Sequence, residues 1–167
     1  AAGLGGGSSD AAAALRLANA LLPDPLRPDA LHEVAATLGA DVPFFLRAGP
    51  QLGTGAGSDL TPLALPRDYA VLLVVPETER KASTAEVYTT FDERNGAEGF
   101  EQRRADLLAA LDRVSRPRDL ADLPPNDFAS PLLADELRAL GAFRADVTGA
   151  GPAVYGLFDR DDQAAAA

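Results

Sequence analysis

The residues with the clearest chemical potential lie at the start of the chain, in Gly3-Leu4-Gly5-Gly6-Gly7-Ser8-Ser9-Asp10. Glycines lack a Cβ, so they adopt φ > 0 and let another group come close to the backbone. Ser8, Ser9 and Asp10 supply N-cap chemistry. An alanine-rich run with Leu15, Ala18 and Leu22 on one face follows, and Pro23 stops it. A loop feeding a helix N-terminus gathers free N–H groups and the positive end of the helix dipole, which suits a phosphate. Two common phosphate loops do not match. A Walker loop ends in Gly-Lys-Ser/Thr, and no lysine is present here. A dinucleotide fingerprint needs a third glycine where Ser8 stands. A flexible linker is the alternative on glycine content alone, but the caps and helix that follow argue against it.

Asp41 is a second candidate. It follows a helix end and precedes Val42-Pro43-Phe44-Phe45-Leu46. Pro43 disfavours a helical Val42, so 44–46 reads as a strand and Asp41 is expected to be partly shielded from water. From spacing alone, a turn aspartate bonding its own backbone is the better reading. Ser83-x-x-Glu86 is a capping-box pattern opening a helix from Thr84 to about Phe91. Thr84 and Tyr88, four apart, share a face of it. Tyr88 is either an aromatic platform or a ring packed on a sheet. His32 falls inside a helix and reads as an ordinary helix residue; with no cysteine and no second histidine, it has no metal partners.

These residues need elements to position them. Asp29 is expected to cap a helix over 30–38, with Leu31, Val34 and Leu38 on one face and Gly39 left-handed at its end. Gly53-Thr-Gly-Ala-Gly-Ser58 is a hairpin turn or a second phosphate cradle; the hairpin is favoured because no helix follows. Tyr69–Val75 reads as a buried strand. Helices are expected over Phe100–Val114 and Pro131–Leu140, the latter closed by Gly141. Phe143–Thr148 and Ala153–Phe158 read as strands around the tight turn Gly149-Ala-Gly151-Pro152. The order predicts an α+β sandwich with helices on one sheet face.

Composition narrows the partners. The 167 residues carry a net charge of −10, which argues against nucleic acid as a partner. Hydrophobic content of 47% predicts a globular chain. No apolar run reaches membrane-spanning length, and no secretion signal or cysteine framework is seen, so no membrane partner is expected and the cytoplasm is the expected location.

The opening stretch resembles the second motif of the GHMP kinases, an ATP loop reading Pro-x-x-x-Gly-Leu-Gly-Gly/Ser-Gly-Ser-Ser. Leu38-Gly-Ala-Asp41-Val-Pro43-Phe-Phe, Ser83-Thr84-Ala-Glu-Val-Tyr88 and Thr148-Gly-Ala-Gly-Pro-Ala-Val-Tyr-Gly-Leu-Phe158 extend the resemblance along nearly the whole chain. It implies an ATP-dependent small-molecule kinase of two lobes. Residues 1–53 would be part of the ATP-binding lobe, and 54–167 a ferredoxin-like substrate lobe. Ala1, Ala2, Gly3, Leu4, Gly5, Gly6, Gly7, Ser8 and Ser9 would hold ATP, with Mg²⁺ on the phosphates and Ser9, or Ser8, a metal contact. Asp41 matches the catalytic aspartate, reversing the reading from spacing. Thr84 and Tyr88 would meet the cytidine end of the acceptor, 4-diphosphocytidyl-2-C-methyl-D-erythritol, which would be phosphorylated on its 2-hydroxyl in non-mevalonate isoprenoid-precursor synthesis. The turn after Thr148 would lie against the ATP loop. Another GHMP kinase, of homoserine or mevalonate type, and a non-catalytic nucleotide-binding module are the alternatives. The chain starts without Met inside a motif, and the family's preceding segment with its lysine is not in it. It is therefore expected to be a piece of a longer kinase and inactive alone. Two positions depart from the pattern: Ser58 stands where the family usually has Glu, and Ala129 where Asn126-Asp127-Phe128 would be followed by Glu.

Overall fold

The computed structural model describes residues 3–76, 84–128 and 132–167. They form two compact units, one spanning Gly5–Ala64 and one comprising Gly3 and Leu4 with Leu65–Ala167. The expected boundary at 53/54 falls inside a hairpin strand; the units divide at Ala64/Leu65.

In the first unit, α1 spans Gly6–Ala20. Gly5 takes a left-handed conformation (φ 66°, ψ 21°), and its carbonyl accepts the Ser9 N–H at 2.9 Å, so the helix starts before the serines. Ser8, Ser9 and Asp10 therefore lie inside the first turns, and the expected side-chain cap is not made. A second helix, α2, spans Pro28–Leu38. Pro28, whose fixed φ suits the first helical position, follows an extended Arg27 at the N-cap. Asp29 is thus in the first turn, where it favours the dipole, rather than the cap. Gly39 is extended (φ 164°), not left-handed. The helices meet through small residues: Ala12, Ala35 and Val42 are buried together, with Ala11, Leu15, Phe45 and Leu46 around them. Alanines let the two backbones approach, so the buried faces rotate away from those that large-residue periodicity predicts. Val34 and Leu38 of α2 are exposed, as is Leu22 beyond the end of α1. The hairpin of β1 (Gln51–Thr54) and β2 (Asp59–Pro62) closes the unit, its turn held by Gly57 N–H donating to the Thr54 carbonyl.

The second unit is built on an antiparallel sheet in the order β3 (Ala70–Val74), β5 (Val154–Phe158), β4 (Arg144–Val147). Helices α5 (Leu132–Ala139) and α6 (Asp161–Ala166) cover one face. Ala70, Ala145, Val154 and Phe158 are buried there with Ala134, Leu137 and Ala142, and Leu72 and Val74 pack against them. The expectation of helices on one sheet face holds. The apolar run at β3 is not buried throughout, however. Val71 and Leu73 stay about half exposed, because their side chains point away from the helical layer. Two more helices, α3 (Thr84–Glu93) and α4 (Phe100–Leu111), precede a 3₁₀ turn over Pro117–Asp122. Ser83 and its expected capping role lie outside the described residues.

Asp119 anchors that turn. Its carboxylate accepts the Ser115 and Arg116 N–H groups at 3.0 and 2.8 Å and the Ser115 hydroxyl at 2.9 Å. The two backbone donors first, then the hydroxyl, hold its carboxyl well below the ordinary carboxylate range. The depressed group stabilises the fold above its unfolded pKa and loses that contribution as pH falls towards its folded one. Asp119→Asn should lower Tm at neutral pH, and the gap to the native protein should narrow as the carboxylate protonates. A gap that stays constant across an acid pH series of melting curves would contradict this.

Candidate active site

Gly6 and Gly7, in the first turn of α1, have nothing of the protein within 4 Å of where a Cβ would stand. The N–H groups of this turn precede the first intrahelical bond and receive no side-chain cap. Open space, uncapped donors and the dipole of a 15-residue helix converge on one end, the arrangement an oxyanion needs. Gly6 is helical, so its value lies in the missing side chain; the left-handed glycines of the loop are Gly3 (φ 77°) and Gly5 (φ 66°). Each is pinned. A Cβ on Gly5 would stand 2.7 Å from the Phe45 ring. One on Gly3 would stand 2.3 Å from the Thr148 carbonyl oxygen and 2.9 Å from that of Gly151. The Thr148 hydroxyl donates to the Gly3 carbonyl at 2.7 Å. The turn after β4 thus lies against the start of the glycine loop, as the motif resemblance implies. Ala1 and Ala2 lie outside the described residues. Leu4 is exposed, and Ser8 and Ser9 are half-buried on α1.

Asp41 sits in the turn between α2 and a 3₁₀ helix over Pro43–Leu46. The predicted strand at 44–46 is not formed. Val42 is αR (φ −62°, ψ −43°) despite the following proline: its N–H donates to the Gly39 carbonyl, and its side chain, 2% exposed, fills the core against Ala12 and Ala35. That burial overrides the local preference. It also corrects the expectation for Asp41, which is exposed because its neighbours Val42 and Pro43 take the interior positions. Among the described residues, its carboxylate accepts no hydrogen bond, not even from its own backbone, and makes no ion pair. A turn-forming side chain would show that backbone bond. His32, half-buried on α2, leaves Nδ1 without a partner among the described residues. Among the described residues, no cluster of three or more histidine, cysteine or acidic side chains could hold a metal, and no helix is long and apolar enough to cross a membrane.

In the second unit, α3 presents Tyr88, with about half its surface open. Its ring meets Phe128 edge-on, centroids 4.8 Å apart, and Phe91 meets Phe128 at 5.5 Å. Tyr88 is therefore backed on one side by Phe128. The Thr84 side chain lies outside what is described. Sequence reading missed the residues that hold this ring pair, Asn126 above all. The one signal was the resemblance of Asn126-Asp127-Phe128 to the family's run, which Ala129 breaks and to which no role was attached.

Residues 1–49 match the GHMP kinases N terminal domain, and residues 97–167 match the GHMP kinases C terminal family. The chain belongs to the GHMP kinases, and its mixed helices and sheets have that fold. Among curated relatives, the 4-diphosphocytidyl-2-C-methyl-D-erythritol kinase of Pelodictyon phaeoclathratiforme is 38% identical over 99% of this chain and 60% of its own length. The kinase of the same name from Desulfitobacterium hafniense is 35% identical over 98% of this chain and 58% of its own. A crystal structure of 4-(cytidine 5'-diphospho)-2C-methyl-D-erythritol kinase superposes with a TM-score of 0.69 at 32% identity, over 97% of this chain and 59% of that one. The chain thus spans about 60% of the length of the relatives it matches.

Proposed function

We propose that this chain is part of an ATP-dependent kinase that phosphorylates the 2-hydroxyl of 4-diphosphocytidyl-2-C-methyl-D-erythritol in the cytoplasm. The observation that carries the reading is the uncapped, side-chain-free start of α1, in a chain whose relatives over its whole length bear that kinase's name. The first unit would supply phosphate binding and the second acceptor binding.

Phosphoryl transfer asks the protein for positioning and charge neutralisation more than for covalent chemistry. The loop Ala1–Ser9 would hold the triphosphate, with the N–H groups of Gly6, Gly7 and Ser8 directed at its oxygens. Mg²⁺ would neutralise charge on the triphosphate. Ser9, or Ser8, would be the metal contact, as the family resemblance implies. Asp41, an exposed carboxylate without a partner among the described residues and in the same unit as α1, would accept the proton of the attacking 2-hydroxyl or orient that hydroxyl. Thr84 and Tyr88 would take the cytidine end.

The open half of Tyr88 makes a testable claim on substrate class. Base stacking on an aromatic ring is worth ~1–3 kcal/mol. Tyr88→Ala in the complete protein should raise KM for the cytidylyl acceptor roughly ten- to a hundredfold and leave KM for ATP nearly unchanged. Equal changes in both constants, or none, would make Tyr88 a packing residue and favour an acceptor without a base.

A further inference from the structure

The strand β4 and the turn beyond it are stitched to the segment 120–128 by a set of partly buried polar groups. Arg144 donates to the carbonyls of Leu120, Leu123 and Pro124 at 3.1, 2.7 and 2.9 Å. Asp146, 3% exposed, accepts the Asn126 N–H at 2.7 Å and the Val147 N–H at 2.8 Å. A carboxylate so deeply buried needs these donors, so its satisfaction fixes where Asn126 stands.

The Asn126 side chain then reaches two ways. Its amide nitrogen donates to the carbonyls of Val147 at 3.3 Å and Gly149 at 3.0 Å. Its amide oxygen accepts the Phe128 N–H at 2.9 Å. The first arm fixes the turn that seats Gly3, where a Cβ on Gly149 would already crowd the Gly3 carbonyl at 3.1 Å. The second arm fixes the backbone of Phe128, the ring behind Tyr88. The next residue is held from the other side: Asp127 pairs with Arg103 of α4 at 3.0 Å, and Arg94 of α3 donates to the Asp127 carbonyl.

We propose that Asn126 is a positioning residue that holds the glycine-loop seat and the Tyr88–Phe128 ring pair in register through opposite ends of one amide. The inference rests on the reading of the site given above, since it takes the loop as the nucleotide site and the ring pair as the base site. It predicts that the two arms separate by mutation. Asn126→Asp keeps an oxygen for the Phe128 N–H but turns a second oxygen on the Val147 and Gly149 carbonyls. Phe128→Leu leaves Asn126 intact and removes the backing ring. Asn126→Ala cuts both arms.

Calorimetric titration of the complete protein with ATP and, separately, with CDP as probe of the cytidylyl diphosphate end reads each arm. Asn126→Asp should weaken ATP about tenfold and leave CDP within about twofold. Phe128→Leu should weaken CDP by roughly three- to tenfold with ATP unchanged, and Asn126→Ala should weaken both about tenfold. Melting curves confirm that each variant is folded. A folded Asn126→Ala that binds both nucleotides like the native protein overturns the proposal. So does equal weakening of both by Asn126→Asp and by Phe128→Leu, the pattern of a merely structural defect. Native protein that binds neither nucleotide would bring down the reading of the site and the inference with it, a result distinct from either of those patterns.

Discussion

Asp41→Asn should lower kcat at least about a hundredfold in the complete protein, with KM for either substrate changed only a few fold, because a positioned general base contributes typically ~10²–10⁴-fold. The substitution keeps size and polarity and removes the proton acceptor. Nothing in the fold should suffer, since among the described residues the Asp41 carboxylate makes no bond that asparagine would lose. That makes the experiment clean. Asparagine serves as well as aspartate in a turn, so a turn role predicts near-normal kcat. A folded Asp41→Asn protein with near-normal turnover would remove the base from the mechanism and leave loop, metal and positioning as the whole of it.

Gly3→Ala and Gly6→Val should fail in different ways, and the contrast is the second large effect. Gly3 holds φ 77°, and a Cβ there would stand 2.3 Å from a backbone oxygen that cannot swing away. Left-handed strain alone costs on the order of 1–3 kcal/mol, so Gly3→Ala should lower Tm and weaken ATP binding by at least about tenfold. At Gly6, nothing lies within 4 Å of the added Cβ and the backbone is helical. Gly6→Val should therefore keep Tm while losing most ATP affinity, because the isopropyl group takes the space assigned to phosphate. Melting curves and ATP titration of both variants check this. Native-like ATP binding by Gly6→Val would move the phosphates elsewhere.

Much of the site could be read from residue types. The glycine loop ahead of a helix, the tight turn over Gly149–Pro152, the hairpin at 51–62 and the helices covering one sheet face rest on local signals that tertiary packing reinforces; that the turn lies against Gly3 came only from the family resemblance. Two departures in the first unit share a cause. Periodicity puts Leu22 with Leu15, and Val34 and Leu38 with Leu31, on apolar faces that would ordinarily turn to the core. In the first unit the contact instead runs through Ala12 and Ala35, whose small size lets the backbones close. Val42 before a proline should have been extended, and the same alanine-lined space drew it into a helical turn, leaving Asp41 outside. The glycine at the N-cap displaced the serines as the helix start, because a left-handed Gly5 supplies its carbonyl to Ser9 without side-chain help. Asn126 was illegible for a different reason. Its partners, Val147, Gly149 and Asp146, lie at least twenty residues away, and only the sheet brings them to it.

The central claim, that ATP phosphorylates a cytidylyl diphosphate alcohol at this site, is tested most directly by ADP release from the complete protein. ATP and Mg²⁺ are offered with 4-diphosphocytidyl-2-C-methyl-D-erythritol, with homoserine and with mevalonate in separate reactions. The account predicts ADP release that depends on the cytidylyl acceptor and is abolished in Gly6→Val. Turnover with homoserine or mevalonate and none with the cytidylyl acceptor, or ATP binding with no turnover on any of the three, would contradict it.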